Sequence, residues 1–312
     1  MKQFIIKVVG LATLCSILIC GYSRLAEISS EKYFGASTEQ QIDTSFNNAV
    51  TGDYNCYFLG NSRIYRGINP EKLSAVCAYN FAHDNDSYNQ MYYKLVYLLE
   101  HEKSIEYLII GTDYFQFSLF SKSRNYAYNK WLSKEYVADY GQYNWITQTE
   151  ERLFSLWNNK QNALSSCIRF IQGVKEPENK NYQRQNGQYV VYGNANKSET
   201  IVRNYDIRDI QYQYFKKIIS LCEEWGIKLY IIMPPLREGE LVGHSSLERD
   251  EFDVMIEKEL KNTPYAGNYI NYSRENGLLP YTEFIDITHL NPLAANKYSE
   301  YLNDVIFLGK LA

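Results

Sequence analysis

The sequence contains no C-x-x-C pair and no cluster of cysteine and histidine, although it has six cysteines and four histidines. Structural zinc sites need such ligands at close spacing, so their absence argues against this class. A basic excess is also missing, because 32 Lys and Arg face 36 Asp and Glu, giving a net charge of −4. Nucleic-acid binding needs a basic face. We therefore expect no nucleic-acid partner, no metal and no cofactor.

One acidic stretch, His83-Asp84-Asn85-Asp86, has the composition of a hard-cation loop or of the D-x-D element of a glycosyltransferase. It lacks the further carboxylates that a calcium loop needs. A single D-x-D is frequent by chance. The sequence therefore predicts no metal site at this stretch.

A long apolar run occurs at the N-terminus. Residues 4–22 are apolar except for Lys7, and no charge occurs from Val8 to Tyr22. A membrane-spanning helix needs about 20 such residues, and a cleaved signal peptide would end in small residues that this run lacks. We predict an uncleaved single-pass membrane anchor at 1–22. Because Lys2 and Lys7 lie at its start, the N-terminus is assigned to the cytoplasm and the rest to the extracytoplasmic side.

The segment at 23–52 is polar and shows no periodic pattern. We predict a stalk with at most one short helix, followed by a domain at 53–312. An oxidising exterior permits disulfides. Cys56 and Cys77 fall on successive predicted strands, so both a bridge between them and free thiols stay open.

Short apolar runs alternate with helical patterns through the domain, which is the pattern of a parallel sheet. The predicted strands are Tyr57–Leu59, Ala75–Phe81, Ile105–Gly111, Lys228–Met233 and Glu283–Ile287. The predicted helices are one starting at Pro70 with Asn69 as N-cap, Tyr88–Leu99, Ile207–Glu224, Leu247–Leu260 and one starting at Pro292. We predict an α/β fold, a flavodoxin-like three-layer sandwich with about five parallel strands.

Residues 117–200 interrupt this alternation. They are rich in tyrosine and tryptophan, their helical patterns are irregular, and the part from Glu176 to Lys197 is strongly polar. We predict a mainly helical insertion with a loop, lying over the carboxyl edge of the sheet. Two alternatives stay open: a lid or polymer-binding surface, and a cap that only packs.

Two strand ends carry side chains that suit nucleophilic catalysis. The first strand ends at Gly60-Asn61-Ser62, and a later apolar run ends at Asp286-Ile287-Thr288-His289. A serine nucleophile needs an imidazole to take its proton, and the imidazole needs a carboxylate to fix its tautomer. The alternatives are a serine in an ordinary turn and an aspartate that caps the last helix.

Together these stretches resemble the SGNH, or GDSL-like, hydrolase and acyltransferase superfamily. The form Gly60-Asn61-Ser62-Arg63, the segment Asn80–Ser87 and His289-Leu290-Asn291 are similar to its membrane-anchored extracytoplasmic branch, which includes proteins of teichoic acid D-alanylation and alginate O-acetylation. The resemblance covers roughly 54–116 and 226–306. It implies Ser62 as nucleophile, His289 as general base and then acid, and Asp286 as its orienting partner.

The resemblance also implies an oxyanion hole. Its first donor would be the backbone N–H of Ser62, and Asn85 matches the position where the family has a glycine, since Asn tolerates left-handed backbone. The family then carries Gly-x-Asn, where this chain has Gly111-Thr112-Asp113. Asp113 is protonated and donates, or pairs with Arg63, or the hole differs. Asp113→Asn should hold or raise turnover, because an amide can donate where an ionised carboxylate cannot. Arg63 binds an anionic substrate group or serves that ion pair.

Three functions stay open on this basis. The first is an anchored acyltransferase that modifies cell-surface polysaccharide through an acyl-serine intermediate, with a multi-pass membrane acyltransferase as partner. The second is an anchored esterase with water as acceptor. The third is a binding or assembly protein that keeps the fold without turnover, for which Asp113 is the main argument.

Overall fold

The structure, a computed structural model, describes residues 1–122, 124–140, 146–147, 149–150, 160–178, 180–199, 206–240 and 246–310. The strands are β1 (Cys56–Leu59), β2 (Ala78–Asn80), β3 (Tyr107–Gly111), β4 (Tyr182–Gln183), β5 (Tyr189–Val190), β6 (Lys228–Met233) and β7 (Tyr269–Asn271). The helices are α1 (Lys2–Phe34), α2 (Thr38–Thr51), α3 (Ser62–Gly67), α4 (Tyr88–Glu100), α5 (Asn125–Tyr128), α6 (Lys134–Ala138), α7 (Lys160–Ile171), α8 (Asp209–Glu224), α9 (Ser246–Leu260), α10 (Tyr272–Asn276) and α11 (Pro292–Leu302).

A five-stranded parallel sheet with the order β2-β1-β3-β6-β7 forms the centre of the fold. Successive side chains of a strand point to opposite faces, and both faces are covered. Tyr57 and Leu59 join a core cluster with α2, α4, α8 and α9, whereas Cys56 and Phe58 join a second cluster with α3 and α11. The predicted α/β fold with about five parallel strands is confirmed, and helices cover it on both sides.

The fifth strand is not where the sequence placed it. The edge strand is β7, and it pairs with β6 through Ile232 opposite Ile270. The predicted strand Glu283–Ile287 instead follows a 3-10 turn and forms a single antiparallel bridge between Phe284 and Leu290. Phe284 and Ile285 are buried there. The apolar run that was predicted as a strand is therefore a buried loop.

The N-terminal part also differs from the expectation. Within the described residues, none of the helices combines the length and the apolar character needed to cross a membrane, so the predicted N-terminal membrane helix is not found. Helix α1 continues past residue 22 into the segment predicted as a stalk, and α2 occupies most of the remainder. Ile42, Phe46 and Ala49 of α2 are fully buried in the core.

The insertion at 117–200 contributes three described helices, α5 to α7, and the antiparallel hairpin of β4 and β5. The hairpin was predicted as loop. Its turn contacts the sheet, because Asn186 O accepts a hydrogen bond of 2.9 Å from Asn80 N at the edge strand β2. Gly187 is required there, since a Cβ atom would lie 2.0 Å from Asn80 O. Trp145 and Trp157, two of the aromatic residues of this insertion, lie outside the described residues.

The cysteines whose state is described carry free thiols. Cys56 and Cys77 are both free, so the bridge considered between them is not formed. The other free cysteines are Cys15, Cys167 and Cys222.

Candidate active site

Ser62 is the first residue of α3, directly after the carboxyl end of β1. The side chain of Asn61 caps the helix by accepting a hydrogen bond of 2.9 Å from Arg63 N. Gly60 allows the sharp turn, because a Cβ atom there would lie 2.5 Å from Cγ1 of Ile64. Ser62 is partly exposed and faces the carboxyl edge of the sheet, where open α/β folds place their ligands.

Ser62, His289 and Asp286 form one continuous chain of contacts. Ser62 Oγ lies 2.7 Å from His289 Nε2, and His289 Nδ1 lies 2.7 Å from Oδ2 of Asp286. These distances are those of good hydrogen bonds. The histidine side chain is partly exposed to solvent. The geometric prediction for these residues is confirmed, whereas their catalytic roles stay predictions.

The carboxylate of Asp286 is held by its own loop. Its Oδ1 accepts hydrogen bonds of 2.9 Å from both Thr288 N and His289 N. Partial burial raises the pKa of Asp286, but the contacts with His289 and the two amides outweigh it and leave this pKa well below its usual range. Asp286 is therefore ionised, and it fixes the proton of a neutral His289 on Nδ1.

The environment of His289 favours its neutral form. Burial lowers the pKa of His289, the charges of Arg66 and Arg63 lower it further, and Asp286 opposes them; the net pKa is below the ordinary value. A neutral imidazole with its proton on Nδ1 has a free lone pair on Nε2. This is the state in which a histidine accepts a proton from a serine.

Arg66 is a site residue that the sequence analysis missed. It lies four residues after Ser62 on α3, and its Nη1 is 2.8 Å from the same His289 Nε2. Its Nη2 contacts both oxygens of Asp84, at 2.9 and 3.0 Å. Arg124 of the insertion also contacts Asp84, through a side-chain ion pair at 3.5 Å. The i, i+4 spacing of Ser62 and Arg66 was the available signal.

Asp113 is buried, accepts hydrogen bonds from Asn61 and Phe115 N, and forms an ion pair with Arg63. Its Oδ2 accepts from Asn61 Nδ2 at 2.6 Å and lies 3.5 Å from Arg63 Nε, while its Oδ1 accepts from Phe115 N at 3.1 Å. Glu240 forms a second ion pair with Arg63. Of the three alternatives for Asp113, the pairing with Arg63 is the one observed. For Arg63, the ion-pair alternative likewise describes its contacts.

Asn85 has the left-handed backbone that the sequence predicted, with φ of 58°. The turn that contains Asn85 is stabilised by the fully buried Lys94. Its Nζ contacts His83 Nδ1 at 2.8 Å, Asp86 Oδ2 at 2.5 Å and Phe81 O at 2.7 Å. Burial lowers the pKa of Lys94 to about 8 against the opposing pull of Asp86. Residues on both sides of Asn85 are thus fixed by one ammonium group.

Asp86, in the stretch His83–Asp86, therefore forms a buried ion pair with Lys94. In the part of the chain that the structure describes, no three His, Cys, Asp or Glu side chains are grouped to hold a metal. His83 and Asp86 contact Lys94, and Asp84 contacts Arg66 and Arg124.

The fold and the contacts define a parallel α/β protein with a Ser-His-Asp arrangement at the carboxyl edge of its sheet. No protein-family model matches the sequence, and a search of curated proteins finds none that matches it.

Proposed function

We propose that the chain is a serine-dependent acyl-transfer enzyme of the SGNH type, which modifies cell-surface polysaccharide through an acyl-Ser62 intermediate. The observation that carries this proposal is the chain of contacts from Ser62 Oγ through His289 to Asp286. An isolated serine or histidine has many structural uses. A serine on a neutral histidine, with an ionised aspartate behind it, is the arrangement that activates a hydroxyl.

The proposed reaction uses the protonation states of Asp286 and His289 described above. Ser62 Oγ attacks the ester carbonyl of the donor while its proton passes to His289 Nε2, and Asp286 stabilises the imidazolium that forms. The same proton is then given to the leaving alcohol. An acceptor hydroxyl repeats these steps in reverse, releasing the acylated product and free Ser62.

Support for a carbohydrate acceptor comes from the resemblance and from the hairpin beside the site. Gln188 on the hairpin donates a hydrogen bond of 2.9 Å to Arg66 O, and Ala195 N donates one of 3.1 Å to Phe284 O. This segment therefore contacts both α3 and the loop that leads to His289. Its Tyr182 and Tyr192 are exposed, and tyrosine pairs an apolar ring with a polar edge.

The cellular location is part of the proposal. The proposed arrangement is a cytoplasmic N-terminus and a catalytic domain on the extracytoplasmic side, with a multi-pass membrane acyltransferase delivering the acyl group. The support is the position of Lys2 and Lys7 before an uncharged run. Protease added to spheroplasts should digest the domain, and full protection of it would contradict this location.

The central test is a turnover assay with Ser62→Ala beside the wild type. An aryl acetate serves as the acyl donor and a polysaccharide oligomer as the acceptor. Mass spectrometry detects an acyl group on Ser62. Loss of nearly all turnover in Ser62→Ala, with unchanged thermal unfolding, is expected. Free acid as the main product despite acceptor would favour the esterase. A Ser62→Ala variant as active as the wild type would leave the binding or assembly protein.

A further inference from the structure

The proposed reaction needs hydrogen-bond donors for an oxyanion, and the side-chain donor that the resemblance implies is absent at Asp113. When Ser62 attacks a carbonyl, negative charge develops on the carbonyl oxygen, and preorganised donors stabilise it. Backbone N–H groups of Ser62 and Asn85 are candidates. The third donor of the family is an asparagine amide, and the matching Asp113 instead accepts hydrogen bonds from Asn61 and Phe115 N. A side-chain donor is therefore missing at this position.

Arg66 lies next to the reacting atoms. Its Nη1 and the hydroxyl of Ser62 both contact His289 Nε2, at 2.8 and 2.7 Å. Nη1 and Ser62 Oγ therefore lie beside the same nitrogen, and an oxyanion on a carbon bonded to Ser62 Oγ can be oriented toward Nη1. Asp84 holds Nη2 on the other side of the guanidinium, and Arg66 Nε is buried without a hydrogen-bond partner among the described residues.

We propose that Arg66 is a catalytic residue that donates to the oxyanion in place of the missing asparagine amide. This inference rests on the proposed function, because it concerns the transition state of that reaction. It assigns Arg66 a contact made during the reaction, in addition to its resting contact with His289.

The resting contact changes in the same step. Before attack, Ser62 Oγ and Arg66 Nη1 share the single lone pair of the neutral Nε2. During attack the Ser62 proton moves to Nε2, a bond forms between Oγ and the carbonyl carbon, and the carbonyl π pair moves to oxygen. Nε2 then has no lone pair and carries a proton, so Arg66 loses an acceptor and faces a cation. The new oxyanion is the nearby acceptor for the released N–H.

The test compares Arg66→Gln and Arg66→Lys with a matched control, Arg274→Gln. Arg66 pairs with one aspartate, and Arg274 likewise pairs with aspartate side chains, Asp250 and Asp253, but it lies on α10, which follows the edge strand β7 rather than β1. Arg66→Gln should lower kcat by about 10²–10³ with KM little changed, because the contact forms only in the transition state. Arg66→Lys should retain part of the activity, and Arg274→Gln all of it.

Chemical rescue gives a readout that a structural role would not produce. Free guanidinium ion, added at concentrations below those that unfold the protein, should raise kcat of Arg66→Gln and leave the wild type unchanged. If Arg66→Gln does not fold, judged by its thermal unfolding, Arg66→Lys carries the test through its lower kcat at unchanged KM.

Three results would overturn the inference. An unchanged kcat with a raised KM would make Arg66 a substrate-binding residue, and a raised kcat would make it only a competitor of Ser62 for Nε2. An unchanged kcat and KM would remove any role. In each case Ser62→Ala would still be inactive, so the proposed function would survive. A wild type whose turnover does not depend on Ser62 would overturn both.

Discussion

The side chain of Ile64 fills the space that a side chain at position 111 would need: a Cβ atom on Gly111 would lie 2.0 Å from Ile64 Cγ1. Gly111 ends β3, and Ile64 lies two residues after Ser62 on α3. The close approach of this strand end to this helix therefore sets the position of the serine relative to the sheet.

Gly111→Ala should push α3 away from β3 and separate Ser62 from His289. We expect a loss of about 1–3 kcal/mol in the free energy of unfolding, which is the usual cost of overpacking. We also expect a loss of kcat that is larger than the fraction of unfolded protein explains. Urea unfolding and turnover assays measure the two effects. Ile64→Ala in the same chain removes the clash and should restore part of both. If the single variant is fully active, Gly111 does not position Ser62.

The pH dependence should report His289. Only neutral His289 can take the serine proton, so activity falls as pH decreases through its pKa. Because burial, Arg66 and Arg63 lower that pKa, the acid limb of kcat/KM should have its midpoint below the ordinary histidine value of about 6.5. Arg66→Gln removes one of the charges, so its limb should move to higher pH. A limb that moves to lower pH would contradict this account.

Asp113→Asn should destabilise the protein and should not raise turnover. Both carboxylate oxygens accept from fixed donors, Asn61 Nδ2 and Phe115 N, and an asparagine must place its NH₂ against one of them. The conflict should cost about 1–3 kcal/mol, measured by urea unfolding. These contacts replace the expectation from the sequence that the amide would assist the oxyanion. A more active, equally stable variant would restore that expectation.

Lys94→Met should destabilise the chain by about 3–5 kcal/mol, because it leaves the buried carboxylate of Asp86 without its cation. The double variant Lys94→Met/Asp86→Asn buries no charge and should recover part of the loss. Thermal and urea unfolding measure both. A single variant as stable as the double variant would mean that the charge of Asp86 does not determine this cost.

The sequence was sufficient for Ser62, because Gly60-x-Ser62 follows the strand β1, and open α/β sheets place functional groups at the carboxyl ends of their strands. Asp286-x-x-His289 was recognised from its own short motif, although the stretch before it is a buried loop. The strand prediction failed for Glu283–Ile287, because an apolar run indicates only that a segment is buried. A buried loop and a buried strand can have the same composition. The real edge strand β7 has three residues, too few for a periodic pattern.

Other features depend on contacts that no single segment contains. In α2 the buried residues Ile42, Phe46 and Ala49 lie at helical spacing, but they are few among polar residues, so the segment was predicted as a stalk with at most one short helix. Arg66 follows Ser62 by one helical turn, but its contact with His289 depends on a residue more than two hundred positions away. Asp113 was recognised as a departure from the superfamily that the chain resembles, but its hydrogen bond from Asn61 joins residues far apart in the chain.

The hairpin turn against β2 has a consequence for self-association. β2 is an edge of the sheet, and an uncovered edge strand is a template for pairing with another chain. Asn186 O accepts a hydrogen bond from the backbone N–H of Asn80. Gly187 has no side chain, so the turn can approach Asn80 O closely and shield it from solvent. A chain shortened by the insertion would present this edge to solvent. At this edge the insertion therefore occupies backbone groups to which a strand of a neighbouring molecule would pair.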